Sequence, residues 1–442
     1  MAARIASGSS SASDCIAQSI HAADAPEQQR SFIRRFDAQA RATAAAVDST
    51  RASGAPVPLL AGLAVSIKDL FDIAGVPTTA ASASLSDAAP AVADCPAVQR
   101  LRQAGAALIG HTNLTEFAFS GVGINPHRGT PLNVGTLAHD ATARIPGGST
   151  SGGAATVAGG AAWAALGSDT RGSIRVPAAL QGLVGFKNTQ ALTPNDGCLP
   201  LSFTLDTACA ITRSVRDAVL LHEVLTARRV QLPLRPLSAL RLALPTGSML
   251  DGLDATVARA FKRSLVQLRA AGAHIVEIDL PAGSDPAAAS GRISAAEAWA
   301  WHRGRLEQRQ HLYDPRVLAR VRMGSDIAAA DYIDLLRERA SWIGLMRQAE
   351  QGFDAFVCPT VPIVAPPLQP LIDDDAAFFA TNAALLRNPS AVNYLNGCAL
   401  SLPCHGADEL PVGLMVWAGA YADGRVLAVS LAIEHTLAEA GR

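Results

Sequence analysis

The chain has 442 residues, 49% of them hydrophobic and 17% charged, which is enough apolar material for a large buried core. Its formal net charge is -1, and no run of Lys/Arg interleaves with aromatics, so no electrostatic footprint for nucleic acid or an acidic membrane is present. The expected ligand is therefore a small molecule.

The N-terminus "MAARIASGSSSASDCIAQ" lacks the continuous apolar stretch of a secretory signal, and no uninterrupted apolar run is long enough to span a bilayer. Cytoplasmic residence is the expectation. Seven cysteines (15, 95, 198, 209, 358, 398, 404) are odd in number, scattered and without a CxxC pair, which fits reduced thiols better than disulfides or a metal site. Cys404 and His405 are adjacent, and neighbours on a strand point apart, so they are not read as a nucleophile and base.

In chain order, Asp14 to about Thr50 is predicted helical, with Ile16, Ile20, Phe32 and Phe36 near helical spacing and Pro26 between two helices. This segment, 1–58, is expected to be an arm packed on the core and offers a surface for a homodimer. "LAVSIKD" reads as a strand with Lys68 at its C-terminal end. A helix over Ala97–Gly105 and a strand "AALIG" follow, then Asn113 and Glu116 at capping-box spacing. A small-residue helix is predicted over Ala154–Ala165, and strands at "AALGSDT" and "GLVGF". "LRLALP", a helix through 255–271 and "AHIVEIDLP" form a strand-helix-strand unit. Residues 291–350 read as arginine-rich helices with solvated faces, followed by strands at "FDAFVCPT" and "PVGLMVWAG" and a terminal helix after Gly424. Such alternation predicts an α/β fold, a sheet with helices on both faces.

Three stretches carry chemistry. "IPGGSTSGGAA" meets neither the P-loop nor the dinucleotide-loop pattern, and it opens into an apolar helix as no flexible spacer would. "GSDTRGSIRVPA" sets Ser173 on a turn able to aim backbone amides at one point; taken alone, a serine there is more often a cap. Lys68 alone would snorkel to solvent. Buried instead, it would lose its proton readily and act as a base beside a serine.

"GLAVSIKD", "PGGSTSGGAATVAGG" and "GSDTRGSIRVPAALQGLVGFK", in this order and at these separations, strongly resemble the amidase signature family, as do "GHTNLTEFA" and "GCALSLPCHGADELPVGLMVWAG". The resemblance runs from about Leu59 and fades between about Val230 and Glu350. It implies a central mixed β-sheet flanked by helices, a single large domain over 59–442 with core motifs in 62–190, and a variable substrate region at about 285–350. It also implies a site made of a nucleophile, Ser173, a serine after a cis peptide, Ser149, and a lysine, Lys68. Backbone N–H groups of Thr170, Arg171, Gly172 and Ser173 would form the oxyanion hole. The implied activity is hydrolysis of small carboxamides through an acyl-enzyme, with no metal or organic cofactor; the alternative is a glutaminase-like component of an amidotransferase that hands ammonia to a partner protein.

Two positions depart from the family's pattern. Arg171 stands where most relatives have glycine. It is expected to point away into a salt bridge with only its N–H in use; the second reading lays its guanidinium over the pocket as a tentative substrate-binding group for anionic amides. Thr150 replaces serine but keeps the hydroxyl. Arg175 is expected to brace the loop, and Trp299, Trp301, His302 and Tyr313, at near-helical spacing, are more often core than pocket.

Overall fold

A computed structural model describes residues 1–283 and 285–440. One eleven-stranded sheet organises them: β1 (Phe32–Arg35), β2 (Ala64–Lys68), β3 (Ala107–Thr112), β4 (Ala164–Asp169), β5 (Val184–Lys187), β6 (Thr207–Thr212), β7 (Arg241–Pro245), β8 (His274–Ile278), β9 (Ala355–Pro359), β10 (Cys398–Pro403) and β11 (Gly413–Ala418). The order across the sheet is β1-β3-β2-β4-β6-β5-β10-β11-β9-β7-β8. The strands β3, β2 and β4 are parallel, as are β9, β7 and β8, while the strands between run antiparallel, so the sheet is mixed.

Pleating sorts the residues of the parallel strands onto two faces. Val65, Ile67, Leu108 and Leu166 pack with Val98 and Leu101 of the Pro96–Gln103 helix. Ala64, Ala107, Ile109 and Ala165 pack with Ile16, Ile20, Ala40 and Ala44 of the N-terminal helices. Because both faces are covered, every residue of β2 is buried, Lys68 included.

The N-terminal segment departs from the helical expectation. Phe32–Arg35 forms an edge strand antiparallel to β3 rather than a turn of helix, and the following helix, Asp37–Ala52, packs behind β3. The helix after the glycine-rich turn is shorter than expected, Ser151–Ala158, because Gly159 and Gly160 end it. No capping box forms at Asn113 and Glu116: the Asn113 amide bonds the carbonyls of Arg30 and Gly129, and Glu116 is buried with Ser82, His127 and the Asp314 N–H. Residues 286–349 form three helices, Pro286–Arg309, Pro315–Arg322 and Ala329–Ala349. Among the described residues, no helix is long and apolar enough to cross a membrane.

Candidate active site

Sheet pleat places the lysine. Ala64, Ser66 and Lys68 share one face of β2, and the Ser151–Ala158 helix lies on that face, with Thr156 Oγ1 2.9 Å from Ser66 Oγ. The residues just before that helix therefore come to rest over the end of β2. Ser149 is among them, fully buried, and Lys68 Nζ donates to its Oγ at 2.8 Å. The same ammonium donates to Ser168 Oγ at 3.0 Å on the neighbouring β4.

The Gly148–Ser149 peptide is cis. A side chain at Gly148 would have no room, since its Cβ would lie 2.8 Å from Gly123 N and 2.9 Å from the Ser120 carbonyl oxygen. The Gly148 N–H donates to the Gly121 carbonyl at 2.8 Å, which ties this loop to the 119–123 run.

β4 is parallel to β2, so its C-terminal end delivers the second loop to the same edge of the sheet. Ser173 lies there, 4% exposed, and its carbonyl accepts the Thr150 N–H at 3.3 Å, which sets the two serine loops side by side. The loop is built around Asp169. That carboxylate accepts Gly172 N–H (2.8 Å), Ile174 N–H (3.2 Å), Arg175 Nε (3.1 Å) and Nη2 (2.9 Å), and Asn393 Nδ2 (3.0 Å). Burial alone would raise its pKa, but the Arg175 charge and these donors hold it at about 2. Arg175, fully buried, also donates to the Pro389 carbonyl at 3.1 Å, and so braces the loop against the Asp375–Tyr394 helix.

Gly172 N–H thereby leaves the donor set read from the sequence, because the Asp169 carboxylate reaches over the turn and takes it. The N–H groups of Arg171 and Ser173 have no partner among the described residues. Thr170 is anchored through its hydroxyl to Asp206 at 2.6 Å. Gly172 has φ +130, and an added Cβ would meet Pro389 at 2.7 Å, so glycine is required at this position.

Burial holds the Lys68 amine down at about 8, against the opposing pull of acidic groups that include Asp206 and Asp169. Such a group is poised to gain and lose a proton near neutrality.

Arg171 does not form the salt bridge expected of it. Among the described residues no carboxylate lies within ion-pair distance of its guanidinium; Nε donates to Ser390 Oγ at 3.1 Å and Nη2 to the Ala287 carbonyl at 2.7 Å. Of the aromatic residues of the helical region, His302 and Tyr313 are buried in the core, and Trp299 and Trp301 pack against it half-buried. His302 Nδ1 lies 2.8 Å from the Tyr313 hydroxyl, and Phe117 stacks on Tyr313 with ring centroids 5.2 Å apart. Burial drives the His302 imidazole down to about 3, so it stays neutral. Cys404 is likewise buried, its thiol pushed up to about 12. A surface cleft of about 790 Å³, lined by His222, Arg347, Glu350 and Tyr421, touches none of the candidate residues.

Two residues that contribute to this site escape a reading of the sequence. Lys187 is buried beside Arg175 and donates to the carbonyls of Asn188 (2.9 Å) and Gly397 (2.6 Å). Asp169 lies within "GSDTRGSIRVPA", yet only the fold reveals that it holds the turn.

The whole chain compares closely with known proteins. The Amidase family model matches residues 14–427. The chain is 34% identical over 407 residues to 2-amino-5-chloromuconic acid deaminase of Comamonas testosteroni, covering 90% of this chain and 86% of that one. It is 32% identical over 432 residues to a glutamyl-tRNA(Gln) amidotransferase subunit of Salinispora tropica, covering 88% and 86%. A crystal structure of an amidase superposes with a TM-score of 0.89 at 31% identity, over 98% of each chain. Sequence and fold thus agree over nearly their full length, and the chain belongs to the amidase signature family as an amidohydrolase that acts on amide C–N bonds.

Proposed function

We propose that the chain hydrolyses small carboxamides with Ser173 as nucleophile, Ser149 as proton relay and Lys68 as base. The observation that carries this reading is the 2.8 Å contact between Ser149 Oγ and a fully buried lysine whose pKa is held down at about 8. At pH 7 roughly a tenth of such a lysine is the neutral amine, a base matched to its task.

In the reaction, Ser173 Oγ bonds to the amide carbonyl carbon while its proton moves to Ser149 Oγ and the Ser149 proton moves to Lys68 Nζ. The oxygen of the tetrahedral intermediate takes the negative charge, met by the Arg171 and Ser173 N–H groups; the loss of one such donor costs about 3 to 4 kcal/mol. The proton returns through Ser149 to the amide nitrogen, the C–N bond breaks and the amine leaves. Water then attacks the acyl-serine through the same relay and frees the acid. This route asks for no metal or organic cofactor.

A second reading rests on the relatives that belong to glutamyl-tRNA(Gln) amidotransferases, at 30–32% identity: the chain would release ammonia from glutamine for a partner protein. One assay addresses both, namely ammonia release by the isolated chain from neutral, aromatic and carboxylate-bearing amides, glutamine included. Carboxylate-bearing amides belong in the panel because one relative is named for an acid it deaminates. Turnover of amides other than glutamine, reduced at least about a thousand-fold in Ser173→Ala, is the expected result. Turnover of glutamine alone, and only with a co-purifying protein, would replace it with the second reading.

A further inference from the structure

The helices of 286–349 bring a second arginine to the edge of the site. Arg320, on the Pro315–Arg322 helix, donates through Nη1 to the Phe119 carbonyl and lies with Cζ 4.6 Å from the Phe119 ring centroid. Phe119 opens the run whose Gly121 carbonyl accepts the Gly148 N–H, so Arg320 flanks the Ser149 loop. Arg171, two residues before Ser173, flanks the nucleophile loop. The Arg171 guanidinium reaches towards the same helical layer, against Ala287 and Gly291, while Arg320 reaches out of that layer to the 119–123 run, and the two like charges oppose each other: burial, then the Arg171 charge, holds Arg320 down at about 9, and burial holds Arg171 at about 10.

Neither charge is neutralised by the protein. No carboxylate among the described residues lies within ion-pair distance of either group, and the nearest acid acting on Arg171, Asp285, spends its carboxylate on capping the Pro286–Arg309 helix through Ala287 N–H (2.9 Å) and Ala288 N–H (3.3 Å). Arg171 Nη1 and Arg320 Nε and Nη2 have no acceptor among the described residues, and both side chains keep part of their surface open. Two like charges, half-withdrawn from water and fixed by carbonyl, hydroxyl and ring contacts on their other sides, leave their remaining donors open to an anion. The free N–H groups suit a carboxylate, which takes two donors from a planar fork.

We propose that Arg171 and Arg320 together form an anion subsite beside Ser173 that selects amides bearing a carboxylate. This rests on the hydrolase reading above and names its substrate class. A carboxylate held there by two cations enters with its charge neutralised, while the amide end reaches the nucleophile.

The test compares succinamate, glutaramate and adipamate with butyramide, pentanamide and hexanamide on the full chain. The parent is expected to prefer the acids. Arg171→Met and Arg320→Met should each lower kcat/KM on the acids by about ten-fold or more, chiefly through KM, and Arg320→Met, which lies outside the oxyanion turn, should lower it on the neutral amides by less than about two-fold. Arg320→Lys, which keeps charge and length, should recover part of the loss. Equal losses on both classes in Arg320→Met, or a parent without preference, would overturn the subsite. Binding separates this outcome from a failure of the chemistry: even if no amide turns over, succinate, glutarate or adipate should raise the melting temperature of the parent and not of the Arg171→Met/Arg320→Met variant. Absence of that shift in the parent also overturns the proposal.

Discussion

Lys68 and Lys187 are both buried and both held at about 8, yet they are prepared for different work. Lys68 touches two hydroxyls, Ser149 and Ser168, either of which can exchange a proton with it. Lys187 donates to two backbone carbonyls, which accept hydrogen bonds and nothing more. The pH profile of kcat/KM should therefore rise through a limb near 8, as Lys68 loses its proton, and level off above it. Lys187→Met should leave that limb in place while lowering stability; if the limb moves with Lys187, Lys68 is not the base. The residues of this pair also measure what the sequence discloses. Lys68 stands out as a lone charge ending an apolar strand, whereas Lys187 ends "GLVGFK" with equal claim and only its partners tell the two apart. Arg320, within "RVLARVRMG", reads as part of a solvated helix face because periodicity says nothing about which loop a long side chain will meet.

At the scale of elements, the Ser173 turn stands on the Asp169–Arg175 pair, fully buried on both sides. Removal of one partner from such a pair leaves an uncompensated charge inside the protein, so Asp169→Asn is expected to destabilise the chain by about 3 to 5 kcal/mol in denaturant melts. Arg175→Met added to it should cost far less than the sum of the two single changes, since the pair acts as a unit. The pH dependence has a definite sign. The folded-state pKa of Asp169 lies below its usual value of 3.8, so its contribution is complete above that value and fades as pH falls towards about 2. Strong elements, such as β2, β4 and the Ala255–Ala270 helix, are legible because hydrophobic period and punctuation agree. β1 is not: Phe32 and Phe36 are four apart, which satisfies a helix, and the strand is only 4 residues long at an edge, where pairing with β3 decides the outcome.

For the molecule as a whole, the helical layer of 286–349 is joined to the chemistry through Glu297. Its carboxylate accepts the Thr204 N–H at 3.0 Å and hydroxyls from Ser202, Thr204 and Tyr332. The same 201–206 loop gives its Leu201 and Ser202 N–H groups to Asp206, which holds Thr170. Glu297→Ala would strand several buried donors at about 1 to 3 kcal/mol each. Faster amide hydrogen exchange in 201–206 and in the Pro286–Arg309 helix, with a lower kcat, is the expected outcome; unchanged exchange would show that the layer is fastened elsewhere. The sheet architecture and the Lys68, Ser149 and Ser173 constellation can be anticipated from three separated motifs. The layer is legible as helices, but which of its side chains meet the 119–123 and 201–206 runs is not, because tertiary contacts decide that and no motif marks them.

The layer leaves the sheet after β8 and returns at β9, and both of these strands lie against β7. Because the three strands are parallel, the layer leaves at the C-terminal end of β8 and returns at the N-terminal start of β9, so it also carries the chain back along the strand direction. It is a cassette clamped at both ends to the sheet, and Ala289, Ile293, Trp342 and Met346 seat it on Phe356, Met415 and Trp417. An exchange of that cassette between related chains would then replace the helices that face the ends of β2 and β4 while the strands themselves stay as they are.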